Sequence, residues 1–246
     1  MVVRTADQLG TVLGVWGHPD DEAYLSGGLM AAAVEAGNRV VCVTATRGEA
    51  GFPDDDGRSV EERMALRENE MGACLRTLGV TEHRWLGFRD GGCDRVRLDD
   101  AVELIRPILD EVRPDTVLTF GPEGQTGHVD HIAVSRWTTM AFRKGAGAKS
   151  RLFYATQTPE WNALVSSLFD VDEIMMVKGM PLPSTDPHEL AVWLELEDEA
   201  LDRKVRALRC QASQVDGLVE RVGDKAFREM ARDEFFRDAR PGDWPA

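Results

Sequence analysis

The sequence predicts an α/β fold with a mostly parallel sheet and helices on both of its faces. Through the first half of the chain, short apolar runs typical of buried strands alternate with helical stretches. This alternation indicates a parallel sheet, because each helix returns the chain for the next strand. The chain has 246 residues and 43% hydrophobic residues, which fits an ordinary globular protein with one large core or two small ones.

The predicted elements of the first half follow from local sequence patterns. The strands are short runs rich in apolar and β-branched residues: 11–16, 39–46, 83–86 and 115–120. The helices are 25–36, 59–78, 99–112 and a stretch from residue 128 to about 142. The 59–78 helix has the clearest ends, because Ser59 or Val60 can open it and Gly79 can cap its carboxyl end. Residues 48–57 and 88–93 are predicted to be a loop and a turn.

The second half is less regular. Residues 151–155 and 173–177 predict short strands, residues 190–196 alternate and predict an edge strand, and residues 198–213 predict a helix. The sequence contains no convincing linker or internal repeat. We therefore expect one domain over residues 1–246, in which the irregular C-terminal part completes the rim of the active site.

Composition and charge exclude several classes of protein. The net charge of −14, from 43 acidic and 29 basic residues, disfavours binding to nucleic acid or to an anionic membrane. The 4 cysteines form no Cys-x-x-Cys pair, which argues against a zinc ribbon or a thioredoxin-like redox site. Residues 1–10 lack an apolar signal segment, and no apolar run approaches membrane-spanning length. We expect a cytoplasmic protein without membrane partners, and a homo-oligomer is compatible with the sequence.

Two short clusters contain the residue types that bind catalytic metals. Residues 18–22 (HPDDE) directly follow the first predicted strand, and residues 128–131 (HVDH) follow the 115–120 strand after a Gly-rich loop. The clusters contain three of the 5 histidines in the chain. Imidazole and carboxylate are the ligands of catalytic zinc, and ligands in open α/β sheets bind beyond the carboxyl ends of strands. Metal-assisted hydrolysis is therefore the leading hypothesis.

The chain resembles the PIG-L/LmbE-like family of zinc-dependent N-deacetylases. The motifs that carry the resemblance are 17–22 (GHPDDE), 43–51 (VTATRGEAG), 67–70 (RENE), 86–92 (LGFRDGG) and 119–131 (TFGPEGQTGHVDH). They cover about the first two thirds of the chain in the family's order, and the ordered set is far more specific than one motif alone. The resemblance implies a Rossmann-like sheet and hydrolysis of an N-acyl group, often the acetyl group of an aminosugar.

The resemblance also implies the ligands of the metal. His18, Asp21 and His131 would hold one Zn2+ per chain, and another divalent metal could replace it in the cell. Three protein ligands leave a coordination position for water, as in catalytic rather than structural zinc sites. Metal binding lowers the pKa of such a water towards neutrality. Without the second cluster, the first one could be only a turn that caps a helix.

The acid–base residues come from the same two clusters. The resemblance implies Asp20 as the general base, which then donates the proton to the leaving amine. His128 would stabilise the developing oxyanion, most effectively as an imidazolium. Asp130 would orient His128 and favour its charged form. Asp130 could instead be only a carboxylate at a helix N-terminus.

Arg67 and Asp90 are the predicted substrate-binding residues. Arg67 lies on the apolar stripe of the 59–78 helix, so its guanidinium must find an anion, a hydroxyl or a carbonyl inside the protein. The resemblance gives it a substrate hydroxyl, with Asp90 as an acceptor beside it. An ion pair with Glu70 or Glu103 explains Arg67 about as well, and Asp90 could be an ordinary turn residue.

Two positions depart from the family pattern. Gln211 stands where many members have a histidine, and Thr126 stands where some sugar deacetylases have a tyrosine, two residues before His128. A phenol that assists the oxyanion from position 126 is therefore absent. Neither change affects a predicted zinc ligand, but both bear on substrate choice.

The sequence thus predicts a zinc-dependent hydrolase that removes an acetyl or other short acyl group from a small N-acyl aminosugar or its conjugate. One alternative is an amidase that cleaves a larger acyl group, such as a cysteinyl-glucosamine conjugate of the mycothiol type. A metallophosphoesterase is weaker, because only one metal site is evident. A metal-bound binding protein on the same fold would not need Asp20 or His128. A nucleotide-binding protein is disfavoured, since no G-x-G-x-x-G follows the first strand.

Overall fold

The fold is a mixed α/β sheet of seven strands with helices packed against it, seen in a computed structural model that describes residue 3 and residues 5–244. The strands are β1 (Val12–Trp16), β2 (Val40–Thr44), β3 (Glu82–Trp85), β4 (Thr116–Phe120), β5 (Arg151–Thr156), β6 (Leu190–Glu195) and β7 (Asp233–Asp238). Their order across the sheet is β3-β2-β1-β4-β5-β7-β6. The first five strands pair in parallel, and β7 pairs antiparallel with both β5 and β6. The prediction of a mostly parallel sheet is confirmed.

Helices connect the strands. They are α1 (Asp21–Glu35), α2 (Val60–Leu78), α3 (Leu98–Val112), α4 (Gly124–Gly127), α5 (Val129–Gly145), α6 (Pro159–Leu168), α7 (Val171–Ile174), α8 (Asp198–Arg209) and α9 (Ala212–Met230). Within the described residues, none of these helices has the length and apolarity needed to cross a membrane.

The central strands form the core. Every residue of β1, β2 and β4 is buried, because helices cover both faces of the sheet. This is why these strands could be recognised as continuous apolar runs. The ends of α2 were also predicted correctly: the Ser59 hydroxyl accepts from the amide N–H of Glu62, and Gly79 caps the helix with a φ of 80°.

Two predictions about the second half were incomplete or wrong, and two elements were missed. The strand predicted at 173–177 is wrong, because Asp170 caps a single helical turn, α7, that ends at Ile174. The helix predicted at 198–213 is interrupted at Gln211, which has non-helical dihedral angles and begins α9. Helix α6 and strand β7 were missed. The edge strand predicted at 190–196 is confirmed as β6.

Candidate active site

The two clusters meet at the carboxyl ends of β1 and β4. These strands are parallel neighbours, so the segments that leave them start side by side. His18 and Asp21 follow β1, whereas His128 and His131 follow β4 through the Gly-rich turn α4. All four residues line one cavity of about 390 Å3. The structure therefore brings together the residues that the sequence assigned to metal binding.

Three nitrogen and oxygen ligand groups converge in this cavity. His18 Nδ1 lies 3.0 Å from His131 Nε2. The Asp21 carboxylate lies beside both rings, 3.6 Å from His18 Nδ1 and 3.3 Å from His131 Nε2. The backbone N–H of His18 donates to Asp21 Oδ2 at 2.7 Å, which fixes the carboxylate in this position.

His131 is held as a neutral imidazole. Its Nδ1 lies 3.0 Å from the carbonyl oxygen of Gly124, to which it can only donate, so Nε2 keeps its lone pair. The ring also stacks on Phe120, with ring centroids 4.1 Å apart. Burial lowers the pKa of His131 to about 4. A neutral ring with one nitrogen fixed by a backbone carbonyl is the state in which histidine binds a metal.

The second nitrogen of His18 faces two carboxylates. Nε2 lies 3.1 Å from Asp90 Oδ1 and 3.2 Å from Asp130 Oδ2. Burial lowers the pKa of His18, but hydrogen bonds to the surrounding carboxylates outweigh burial and hold the pKa well above its ordinary value. These contacts favour positive charge on the His18 ring.

This donor set fits a divalent metal. When the neutral ring of His18 carries its proton on Nε2 and shares it with the carboxylates, Nδ1 of the same ring has a lone pair. This lone pair faces the lone pair of His131 Nε2 and the Asp21 carboxylate. Such a group requires either an extra proton on His18 or a cation between the ligands. One ring nitrogen each of His18, His128 and His131 also lies within 4.8 Å of the others, so the site has a further nitrogen beside the predicted ligands.

The carboxylate of Asp130, predicted to orient His128, makes its hydrogen bonds to other groups. The Asp130 carboxylate is fully buried and accepts from the backbone N–H groups of Gly91, at 2.7 Å, and Cys93, at 2.9 Å, while also facing His18. His128 is the N-cap of α5, and its Nδ1 accepts from the backbone N–H of Asp130 at 3.1 Å. The contact between these two residues therefore runs through the backbone of Asp130, and its carboxylate positions His18.

His128 is fixed as a neutral hydrogen-bond donor. Because its Nδ1 accepts a hydrogen bond, Nε2 must carry the proton of the neutral ring. Burial and the positive charge of His18 lower the pKa of His128, against the opposing effect of Asp130. The imidazolium predicted for this position is therefore disfavoured, although the ring still has an N–H to offer to the cavity that it lines.

Asp20 lies in the same cavity with a strained backbone. Its φ is 103° and its ψ is −34°, outside the conformations that L-residues normally adopt. Arg67 Nη2 contacts Asp20 Oδ2 at 3.2 Å and also donates to the carbonyl oxygen of Pro19. Burial raises the pKa of Asp20 to about 6, against the lowering effect of Arg67.

Arg67 is buried on the inner face of α2, as predicted, and only 2% of it is exposed. It lies 4.0 Å from Glu70 Oε2, so the ion pair that competed with a substrate role exists but is long. The Glu70 carboxylate binds instead to the backbone N–H and hydroxyl of Ser213, at 2.7 and 2.6 Å. Arg67 Nη1 and Nε have no hydrogen-bond partner within the described residues, and Arg67 lines the cavity. Glu103 is not needed to explain its position.

Asp90 also lines the cavity, but both of its oxygens already have protein partners. Oδ1 faces His18 Nε2, and Oδ2 accepts from the backbone N–H of Ala50 at 2.8 Å. A turn residue without a function is therefore a poor description of Asp90. One of its two side-chain partners is the predicted metal ligand His18, and any contact with substrate would add to these two.

Met176 and Gln214, which are not among the predicted site residues, also line the cavity. Met176 belongs to the segment after α7 and is 65% exposed, and its backbone N–H donates to the carbonyl oxygen of Thr126 at 2.8 Å. Gln214 comes from α9 and donates to the carbonyl oxygen of Gly51. Both residues reach the cavity because their segments contact parts of the chain that are distant in sequence. No local sequence pattern identifies them as cavity residues. The irregular C-terminal part therefore contributes to the rim.

Glu22 holds the strained backbone of Asp20. Its side chain is fully buried, and Oε2 accepts from the backbone N–H of Asp20 at 2.9 Å. Oε1 accepts from Gln211 Nε2 at 3.2 Å and from Cys74 Sγ at 3.4 Å. Gln211, the departure from the family pattern, thus contacts the first cluster through Glu22 and does not line the cavity. Burial raises the pKa of Glu22 to about 8.

Glu22→Ala is expected to lower kcat by about 10²-fold, because loss of the acceptor lets Asp20 leave its position. KM and metal content should stay close to those of the parent protein. Glu22→Gln is the matched control, since a neutral side chain with an acceptor oxygen resembles the protonated carboxyl. Steady-state kinetics and metal analysis of both variants test this. An equal loss in the Ala and Gln variants would contradict positioning through the Asp20 N–H.

A comparison with known families agrees with this geometry. The family model described as PIG-L: GlcNAc-PI de-N-acetylase matches residues 13–142, which is more than half of the chain. The chain belongs to this family. The matched range begins in β1 and ends in α5, so it contains both clusters together with Arg67 and Asp90.

Individual relatives support the assignment of the chain to this family. A 1D-myo-inositol 2-acetamido-2-deoxy-alpha-D-glucopyranoside deacetylase of Acidothermus cellulolyticus is 32% identical over 251 residues, with 88% of this chain and 86% of that protein covered. The structure of N,N'-diacetylchitobiose deacetylase from Pyrococcus horikoshii has a TM-score of 0.63 at 20% identity and covers 94% of this chain and 84% of its own.

The same fold also occurs in a protein of another reaction class. The structure of GalB, the 4-carboxy-2-hydroxymuconate hydratase of Pseudomonas putida, has a TM-score of 0.64 at 16% identity and covers 95% of this chain and 97% of its own. Likeness at this level of identity shows the fold alone. The reaction must therefore be argued from the residues of the site.

Proposed function

We propose that this protein is a zinc-dependent hydrolase, one domain over residues 1–246, that removes the acetyl group from an N-acetyl aminosugar conjugate. The observation that carries the proposal is the convergence of His18, Asp21 and His131 with the buried carboxylate of Asp20 in one cavity. The relative from Acidothermus cellulolyticus, named as a deacetylase of such a conjugate, supports this substrate class.

The metal would be held by His18, Asp21 and His131. When bound, a zinc ion polarises the amide carbonyl and supplies an activated water at neutral pH. Asp90 and Asp130 accept from His18 Nε2, so they fix the ring and raise the basicity of the nitrogen that faces the metal position. Both carboxylates thereby act on the site through His18.

Asp20 is the proposed general base and, afterwards, the proton donor to the leaving amine. Its pKa of about 6 leaves it ionised at neutral pH yet close enough to that pH to return a proton. Arg67 contacts Oδ2 of this carboxylate at 3.2 Å, and the Asp20 side chain lines the same cavity as the predicted metal ligands. This arrangement separates proton transfer, at Asp20, from metal binding, at the adjacent Asp21.

His128 is the proposed donor to the carbonyl oxygen of the scissile amide. Its neutral ring carries a proton on Nε2, and a hydrogen bond from this group strengthens as negative charge develops on that oxygen. No phenol is available from position 126, where a threonine lines the cavity. The N–H of His128 is therefore the oxyanion contact that we propose from this loop. The sugar hydroxyls would meet Arg67 and Asp90.

An acetate-release assay tests the proposed function. The purified, zinc-loaded protein is incubated with N-acetylglucosaminyl-inositol, other N-acetylglucosamine conjugates and a cysteinyl-glucosamine conjugate. Acetate release from the acetylated sugars supports the proposal, whereas cleavage of the cysteinyl amide alone would favour an amidase. Tight binding of every compound without turnover would favour a binding protein. The presence of both Asp20 and His128 argues against that alternative.

Purified protein is expected to contain about one divalent metal ion per chain, and His131→Ala should lose it. The substitution removes the ring whose Nε2 faces both other ligands. His188→Ala, which changes an exposed histidine, is the matched control and should keep the metal. Elemental analysis after zinc reconstitution and desalting gives the result. Equal metal content in the two variants would show that His131 is not a ligand.

A further inference from the structure

A second, smaller cavity lies next to the catalytic one. It has a volume of about 150 Å3 and shares no lining residue with the catalytic cavity. Most of its wall is apolar and comes from α1, α6 and the end of α9: Leu25, Trp161, Phe227, Met230 and Ala231. Apolar cavities of about this volume are large enough to admit a benzene ring.

Gln125 gives this cavity a polar feature that the protein itself does not use. The residue is only 9% exposed, and neither Oε1 nor Nε2 of its side chain has a hydrogen-bond partner within the described part of the chain. Leaving a buried polar group without a partner is costly, because the group has lost its hydrogen bonds to water. Buried amides in folded proteins are therefore normally paired, so an occupant of the cavity is the expected partner.

The backbone of Gln125 is strained as well. Its φ of 63° and ψ of −65° correspond to a rare γ-turn that interrupts the turn α4. Strained residues of this kind cluster at active sites and ligand-binding sites. Both chain neighbours of Gln125 belong to the catalytic site. The carbonyl oxygen of Gly124 orients His131, and Thr126 lines the catalytic cavity.

The chemistry of an occupant follows from these walls. A group that satisfies both atoms of the Gln125 amide must present one donor and one acceptor, as another carboxamide does. The other polar lining residues are Tyr24, Gln157 and Asp233, and of these Asp233 accepts from the indole N–H of Trp193 at 2.8 Å. Mostly apolar walls make a charged ligand costly to desolvate.

We propose that this cavity is a binding site for a small uncharged molecule that joins an aromatic or short aliphatic body to a carboxamide-like group. Its apolar body lies against Trp161 and Phe227, and its polar group pairs with both atoms of the Gln125 amide. Occupancy would give Gln125 the partners that it lacks within the protein.

Titration calorimetry with benzamide on the full-length, zinc-loaded protein tests the proposal. Benzamide should bind saturably and more tightly than benzylamine, which has the same ring and a positive charge. Gln125→Gly should weaken benzamide binding by about tenfold or more, which corresponds to the loss of about 1.4 kcal/mol. Because glycine accepts a positive φ, this variant is expected to be at least as stable as the parent in thermal unfolding.

Two further variants locate the binding. Ala231→Leu, which fills the cavity, should abolish benzamide binding, and thermal unfolding will show whether the variant is folded. Met176→Ala changes the wall of the catalytic cavity alone and should leave the affinity within about twofold. Three results would each overturn the proposal: no benzamide binding, tighter binding of benzylamine, or loss of affinity only in Met176→Ala. If benzamide does not bind, the cavity holds water alone.

Discussion

Asp20→Asn is expected to lower kcat for acetate release by about 10²- to 10⁴-fold while the protein keeps its metal. Asparagine has almost the same shape as aspartate and tolerates a positive φ, so the strained backbone at this position should survive. Its side chain can still accept from Arg67, but it cannot take a proton from water. The substitution therefore removes proton transfer and leaves the geometry of the site in place.

Kinetics and metal analysis on the same preparation check this result. Asp54→Asn, which changes an exposed carboxylate in the loop before α2, is the matched control and should retain the activity of the parent. If Asp20→Asn also lost the metal, Asp20 would be acting in metal binding. Full turnover with the metal retained would show that another group is the base, and the proposed division between Asp20 and Asp21 would be wrong.

The central sheet could be predicted because its strands are buried on both faces. β1, β2 and β4 therefore consist of short, nearly continuous apolar runs. β7 has the sequence DEFFRD, with only Phe235 and Phe236 as apolar residues, and its pairing joins the distant strands β5 and β6. The pairing depends on chain neighbours far away in sequence, so a local pattern could not identify it.

The ligand clusters were predictable for a similar reason. The first directly follows β1, the second follows β4 after a Gly-rich turn, and these two strands proved to be neighbours. The contacts between their side chains were not predictable. His128 caps α5 by accepting from the Asp130 N–H, and this leaves the Asp130 carboxylate pointing to His18 on the other cluster. Two residues in the first turn of one helix can thus face different partners. The contact of Glu22 with Asp20 was equally hidden, because it depends on the unusual φ of Asp20.

Lys204→Met is expected to destabilise the protein by about 3–5 kcal/mol. Lys204 on α8 is 1% exposed, and its Nζ lies 2.8 Å from Oε1 of the fully buried Glu234 on β7. The same carboxylate accepts from the backbone N–H groups of Gly28 and Leu29, each at 2.7 Å. Removing the ammonium group leaves a buried negative charge without its cation. The pair also joins β7 and α8 to α1, the helix that begins at Asp21.

Urea unfolding measures the loss, and an unchanged dependence of the free energy on urea would show that the unfolded surface is the same. Lys225→Met on α9 is the matched control, because that lysine is exposed and should change stability by no more than about 0.5 kcal/mol. Adding Glu234→Gln to Lys204→Met should recover part of the loss, since the buried charge is gone while an acceptor for α1 remains. A loss in Lys204→Met as small as in the control would mean that the backbone N–H groups of α1 alone stabilise the carboxylate.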